Sequence, residues 1–242
     1  MTDGPPRALI FDIDGVVADT PHEETWRRTL EALCARPDWR AAVAASAWQP
    51  GGFTREVYLT ACSGKARQDG ARATLEHFGI ADPDGSKLKL FYEEKQRLFL
   101  EMVDRGEGVR AYPDAVELAR RAQDAGWKLA AASSSKNATD ILGILGLMPL
   151  FDADVCGRDG PGKPAPDLFL AAAQELGVRA KDACVVEDAT SGVKAALNGG
   201  FACLAVARYE DMGELLAAGA HIVTDCLEDV TLEEIEEHIK VM

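Results

Sequence analysis

The chain has 242 residues, 47% of them hydrophobic, and a formal charge of -14 from 40 acidic against 26 basic side chains. That is room for one large α/β domain, or for one core plus a smaller insert. With no Lys/Arg-rich run or basic amphipathic stripe, non-specific nucleic-acid binding is excluded, and each well-placed lysine or arginine becomes informative about anionic ligands.

Taken in order, the first element is the apolar run Ala8 to Phe11, which has the length and bulk of a buried parallel strand. Asp12 falls at its C-terminal edge, Asp14 follows one residue on, and Gly15 turns the chain. Two carboxylates there repel and lose hydration unless a cation lies between them, and hard oxygen ligands favour Mg²⁺. Two other uses of the pair fit less well. An Asp-Gly turn would not need the strand before it, and an EF-hand places its glycine at loop position six, whereas Gly15 follows Asp12 by three.

From residue 21 to about 106 the chain reads as helices and loops. Trp26, Leu30 and Leu33 fall at helical spacing, as do Ala71, Leu75 and Phe78, and then Leu90, Phe91, Lys95, Leu98 and Met102. Gln49 to Gly52 and Asp82 to Gly85 break these helices. From Tyr112 the pattern alternates: helix 115–125, strand 128–132, helix 136–145, strand 153–156, helix 166–176, strand 183–186, helix 191–198, strand 202–206, helix 212–218, strand 221–223. Alternation of this kind implies a parallel sheet covered on both faces. The acidic tail from Leu227 reads as a solvated terminal helix.

Polar groups cluster after three of these strands. Ser133-Ser134-Ser135-Lys136-Asn137 follows strand 128–132 and opens a helix, an arrangement suited either to an anion or to an ordinary serine-rich cap. Lys163 lies in Gly162-Lys163-Pro164-Ala165-Pro166, a loop that two prolines stiffen. Strand 183–186 ends in Glu187-Asp188, a second carboxylate pair, in which Asp188 would ligate the metal and Glu187 would act through water or as a second ligand.

Asp12-Ile-Asp14-Gly15-Val16-Val17 with Asp19-Thr20 resembles the first motif of the haloacid dehalogenase-like phosphohydrolases, and the later clusters match its other motifs. The resemblance implies a Rossmann-like α/β core, residues 1–20 and 107–242, with a small α-helical cap, 21–106, inserted after the first strand as in the β-phosphoglucomutase-like branch. Hinges are implied near Asp19 to His22 and Gly106 to Val109. It makes Asp12 the nucleophile that becomes an aspartyl phosphate and Asp14 the general acid/base, a residue that the family's dehalogenases lack. It gives Ser133 a hydrogen bond to a phosphate oxygen, lines the phosphate pocket with Ser134 and Asn137, and sets Lys163 to neutralise nucleophile and phosphoryl group. Mg²⁺ is implied on Asp12, the carbonyl of Asp14 and Asp188. Ala189 stands where the mutase branch often has serine.

Gly64 to Gly70 is similar to a β-phosphoglucomutase cap stretch, with Arg67 on the arginine that grips the substrate's distal phosphate. Lys95 falls on a second cap lysine, and His22 on the hinge histidine if two residues are deleted after Thr20. Ser63 and Gly70 depart from that pattern, having replaced a lysine and a serine, and as isolated residues Arg67 and Lys95 would read as exposed charges. The expected activity is therefore a Mg²⁺-dependent phosphatase acting on a small phosphorylated metabolite, with a sugar-phosphate mutase as the alternative. A non-catalytic metabolite sensor would need neither Asp12 nor Asp14. Six cysteines without a Cys-x-x-Cys pair read as small buried hydrophobes. With no signal sequence and no apolar span of membrane length, the expectation is a cytoplasmic protein with no membrane partner, and a monomer.

Overall fold

The computed structural model describes residues 7–63 and 65–240. It divides the chain into two compact units, Met1–Asp19 with Arg110–Met242, and Thr20–Val109. The chain thus passes between units at 19/20 and 109/110, a few residues from the 20/21 and 106/107 read from sequence. The strands in chain order are β1 (Ala8–Phe11), β2 (Ala18–Asp19), β3 (Arg110–Ala111), β4 (Lys128–Ala131), β5 (Ala153–Asp154), β6 (Ala183–Glu187), β7 (Ala202–Val206) and β8 (Ile222–Thr224). Among the described residues six of these form one parallel sheet, ordered β5-β4-β1-β6-β7-β8. β2 and β3, separated in the chain by the whole helical segment, pair antiparallel with Ala18 opposite Ala111, a ribbon the sequence did not announce because two residues carry no periodicity.

The second unit is helical: α1 (His22–Cys34), α2 (Arg40–Ala44), α3 (Arg55–Ala61), α4 (Arg67–Phe78) and α5 (Ser86–Asp104). Its core gathers the residues at helical spacing, Trp26, Leu30, Leu33, Leu75, Phe78 and Phe91 among them. Trp26 meets Phe91 edge-on at 5.2 Å. A Cβ at Gly70 would come within 3.3 Å of the Trp26 ring.

The sheet is covered by α6 (Pro113–Asp124), α7 (Ala138–Ile144), α8 (Asp167–Leu176), α9 (Thr190–Asn198), α10 (Met212–Ala217) and α11 (Leu232–Lys240). Ala8, Ile10, Ala130, Val185 and Cys203 pack with Phe169 of α8 and Val193 of α9 in one cluster, while the alternate residues Leu9 and Phe11 point to the other face. α6 and α11 pack against β4 and against β6 and β7 respectively. The terminal helix is not merely solvated: Ile235 and Ile239 are buried, so one stripe of this acidic segment completes the core. Cys62, Cys184 and Cys203 are buried as expected, and Cys34, Cys156 and Cys226 are half-buried.

β1 is the centre of this order, with β4 on one side and β6 on the other. Crevices at such a point, beyond the carboxyl ends of the strands, are where open α/β sheets bind ligands. The ladder carries the three neighbours past the end of the sheet together: Asp12 N donates to Val186 O at 3.0 Å and Ala132 N donates to Phe11 O at 2.8 Å.

Candidate active site

This continuation of the ladder brings Asp12, Ser133 and Glu187-Asp188 to one edge from three distant parts of the sequence. Lys163 arrives from the loop between β5 and α8, where Asn198 Nδ2 donates to Pro164 O at 2.9 Å and the Lys163–Pro164 peptide is cis. Its ammonium donates to Asp12 Oδ1 at 2.5 Å and to Glu187 Oε1, with all three side chains buried. Ser133 Oγ donates to Asp14 Oδ2 over 3.4 Å, a long bond, and accepts from Ser135 N at 3.1 Å. Asn137 is buried at the start of α7 and Ser134 is half-buried beside Ser133.

Glu187 makes contacts that the sequence alone does not suggest. One oxygen takes the lysine, and the other accepts from the backbone N–H of Asp188 at 2.8 Å and of Ala189 at 3.0 Å. Its place is kept by Gly192 in α9, where any Cβ would overlap the Glu187 carboxylate. Likewise Gly15, at φ +88°, leaves room for the Asp188 carboxylate that a side chain would fill. Neither glycine was singled out from sequence, although a glycine inside a helical pattern such as Gly192 is itself a packing signal.

Electrostatically the edge is over-supplied with negative charge. Burial raises the Asp12 carboxyl to about 7; Lys163 pulls it down, but Glu187 and Asp14 add to the rise. Asp188 is pushed well above the usual carboxylate range by burial and then by Glu187 and Asp12. Burial disfavours the Lys163 charge, but Asp12 and Glu187 more than restore it, leaving its pKa above the ordinary lysine value. One lysine among four carboxylates is the setting a divalent cation relieves. Among the described residues no three His, Cys, Asp or Glu side chains converge as ligands. Two carboxylates, Asp12 and Asp188, with a backbone carbonyl would suit Mg²⁺, which keeps several waters and binds one or two carboxylates.

Residues 6–200 match the family model described as haloacid dehalogenase-like hydrolase. The chain belongs to that family. A curated β-phosphoglucomutase of Mycobacterium bovis is 33% identical over 92% of this chain and 90% of its own length. A phosphorylated carbohydrates phosphatase of Thermotoga maritima is 32% identical over 88% of this chain and 91% of its own. Among solved structures, an archaeal β-phosphoglucomutase from a Pyrococcus species superposes with a TM-score of 0.72 at 27% identity, covering 97% of this chain and 99% of that one. Within the haloacid dehalogenase-like hydrolases these likenesses put the chain in the β-phosphoglucomutase-like branch, and it is an enzyme.

Arg67, Lys95 and His22, the residues that resemble the branch's cap and hinge positions, lie in the helical unit, and two of them meet. Lys95, only 2% exposed, holds its Nζ 2.6 Å from His22 Nδ1 in a hydrogen bond. The ammonium lies 4.6 Å from the Phe99 ring centre and 5.2 Å from that of Trp26, and His22 stacks on Phe99 at 4.3 Å. Lys95 is therefore no ordinary surface charge. Arg67 opens α4 half-buried, and burial lowers its pKa. Gly64 lies outside the described residues. No helix among the described residues is long and apolar enough to cross a membrane.

Proposed function

We propose that the protein is a Mg²⁺-dependent phosphatase of a small phosphorylated metabolite, a sugar phosphate, working through an aspartyl phosphate on Asp12. The observation that carries this reading is the Lys163 ammonium fixed between Asp12 and Glu187, beside Asp14 and Ser133. A binding protein has no use for a buried carboxylate held against a lysine and backed by a second acid.

Asp12 attacks phosphorus in line with the leaving oxygen. Lys163 offsets the charge that gathers on nucleophile and phosphoryl oxygens, and Glu187 holds Lys163 there while tying down the loop that carries Asp188. Ser133, Ser134 and Asn137 donate to the phosphoryl oxygens. Asp14 gives its proton to the departing alkoxide and then takes one from the water that hydrolyses the aspartyl phosphate. Asp12, Asp188 and the Asp14 carbonyl would hold Mg²⁺, which would supply positive charge to this acidic edge and favour the ionised form of Asp12. We assign 7–19 and 110–240 to this chemistry and the helical unit, as cap, to the rest of the substrate through Arg67, Lys95 and His22, with Gly64 in the same stretch.

The second reading, a sugar-phosphate mutase, is favoured by the name of the Mycobacterium bovis relative. In that case a sugar hydroxyl replaces water as the second nucleophile. The lysine missing at 63 supports hydrolysis, because a mutase must hold a bisphosphate and keep water from the aspartyl phosphate. Feeding β-glucose 1-phosphate with a bisphosphate primer, and measuring glucose 6-phosphate and free phosphate together, separates the two. Free phosphate should dominate; isomerised sugar in clear excess would replace the phosphatase by the mutase.

A further inference from the structure

Three consecutive side chains on the loop after β7 reach three different elements. Arg208 Nη2 donates to both carboxylate oxygens of Asp114, at the start of α6, at 2.6 Å, and its guanidinium stacks 4.2 Å from the Tyr112 ring. Glu210 accepts from Thr190 N, the first residue of α9, at 2.8 Å. Between these anchors Tyr209 donates its hydroxyl to Asp19 Oδ1 at 2.9 Å, with the Tyr112 hydroxyl 3.0 Å away. Burial pushes the ionisation of Tyr209 up, so it keeps its proton. A hydroxyl has one proton to give, and Asp19 takes it, so Tyr112 donates in the tyrosine pair.

Asp19 ends the turn that carries Asp14. The N–H groups of Val17 and Ala18 both donate to Ile13 O, at 3.0 and 2.8 Å, and Gly15 N donates to Ala18 O at 2.9 Å. Tyr112 N reaches Val17 O at 2.9 Å, and Asp14 bridges to Ala18. Residues 13–18 are thus one tied unit, so a shift of Asp19 moves Asp14. The other partner of Asp19 is Arg110, at 2.9 Å, but that side chain is 79% exposed and such an ion pair restrains little. The β2–β3 ladder sets Asp19 opposite Arg110 along the backbone, and Tyr209, aimed by its two anchored neighbours, adds a half-buried side-chain restraint.

We propose that the Tyr209 hydroxyl is a positioning group for phosphoryl transfer: by fixing Asp19 it holds the 13–18 turn so that Asp14 keeps its place beside Ser133. This rests on the reading of Asp14 as general acid, and it predicts a particular kind of damage. A displaced acid hurts a substrate whose leaving group needs the proton and spares one whose leaving group does not.

The test compares kcat/KM, which reports the step that expels the leaving group, for 4-nitrophenyl phosphate and for phenyl phosphate, whose phenolate is far more basic. Tyr209→Phe keeps the ring and loses the hydroxyl. It should lower kcat/KM for phenyl phosphate about tenfold, and for 4-nitrophenyl phosphate by less than about twofold, with the near-UV circular dichroism unchanged. Asp19→Asn, approaching from the acceptor's side, should give the same skew, and Asp14→Asn a larger one. Equal losses on both substrates, or none, in Tyr209→Phe would overturn the inference while a skew in Asp14→Asn leaves the general-acid reading standing. No skew in Asp14→Asn would overturn that reading and the inference with it.

Discussion

Asp12→Asn should make the metal-free protein more stable than wild type at pH 8 and give no such advantage at pH 4. Asp12 is 5% exposed, and burial, with Glu187 and Asp14 outweighing Lys163, raises its carboxyl from 3.8 to about 7. Between these values the folded protein holds a proton that the unfolded chain has released. The stability this group contributes is therefore fully present below about pH 4 and is lost as the pH rises through about 7. A gap of about three pH units at 1.36 kcal/mol each corresponds to about 4 kcal/mol. Asparagine does not titrate and lacks this loss. Urea unfolding of both proteins in excess chelator from pH 4 to pH 8 measures it, since titrations remote from the site cancel in the difference. The difference should move in favour of Asn by up to about 4 kcal/mol, mostly below pH 7, and saturating Mg²⁺ should reduce it by holding Asp12 ionised. A difference that does not change with pH would refute the reasoning.

Gly192→Ala should displace the Glu187 carboxylate, loosen Lys163 and lower kcat on 4-nitrophenyl phosphate by about 100-fold while the fold survives, as steady-state kinetics with a thermal melt would show. Unchanged kcat would mean that Glu187 does not need its present place. Arg67→Ala should lower kcat/KM for a responsive sugar phosphate by roughly ten- to a hundredfold, the range of one charge-assisted contact, and leave 4-nitrophenyl phosphate nearly untouched. Equal loss on both would remove Arg67 from substrate binding. Chelator should abolish turnover and Mg²⁺ restore it, while Ca²⁺, which prefers more ligands and longer bonds, should inhibit; full activity in excess chelator would contradict the metal assignment.

The core was legible because β1 and β7 are short continuous apolar runs and Gly177 closes α8 in a left-handed turn, so length and punctuation alone set their ends. Helix α7 begins at Ala138, two residues after the Lys136 its sequence suggests, because backbone N–H groups of Ser135 and Asn137 bond to the Ser133 and Ser135 hydroxyls before the helix begins. The charged site residues stood out as carboxylates and a lysine at strand ends and in a proline-bound loop. What sequence could not give was who holds whom. The pairing of Glu187 with Lys163 depends on two backbone N–H groups and on the space left by Gly192, and the burial of Lys95 against His22 depends on helix packing. The reach of Tyr209 to Asp19 spans 190 residues and has no local signature.

The central claim is that phosphate passes through Asp12, and acid-quenching the enzyme during turnover of 4-nitrophenyl phosphate tests it directly. Mass spectrometry of the digested protein should find one phosphoryl group on Asp12, removable by hydroxylamine as an acyl phosphate is and absent from Asp12→Asn, with a burst of nitrophenol matching the enzyme present. A phosphoryl group on any other residue, or rapid turnover by Asp12→Asn, would contradict the account.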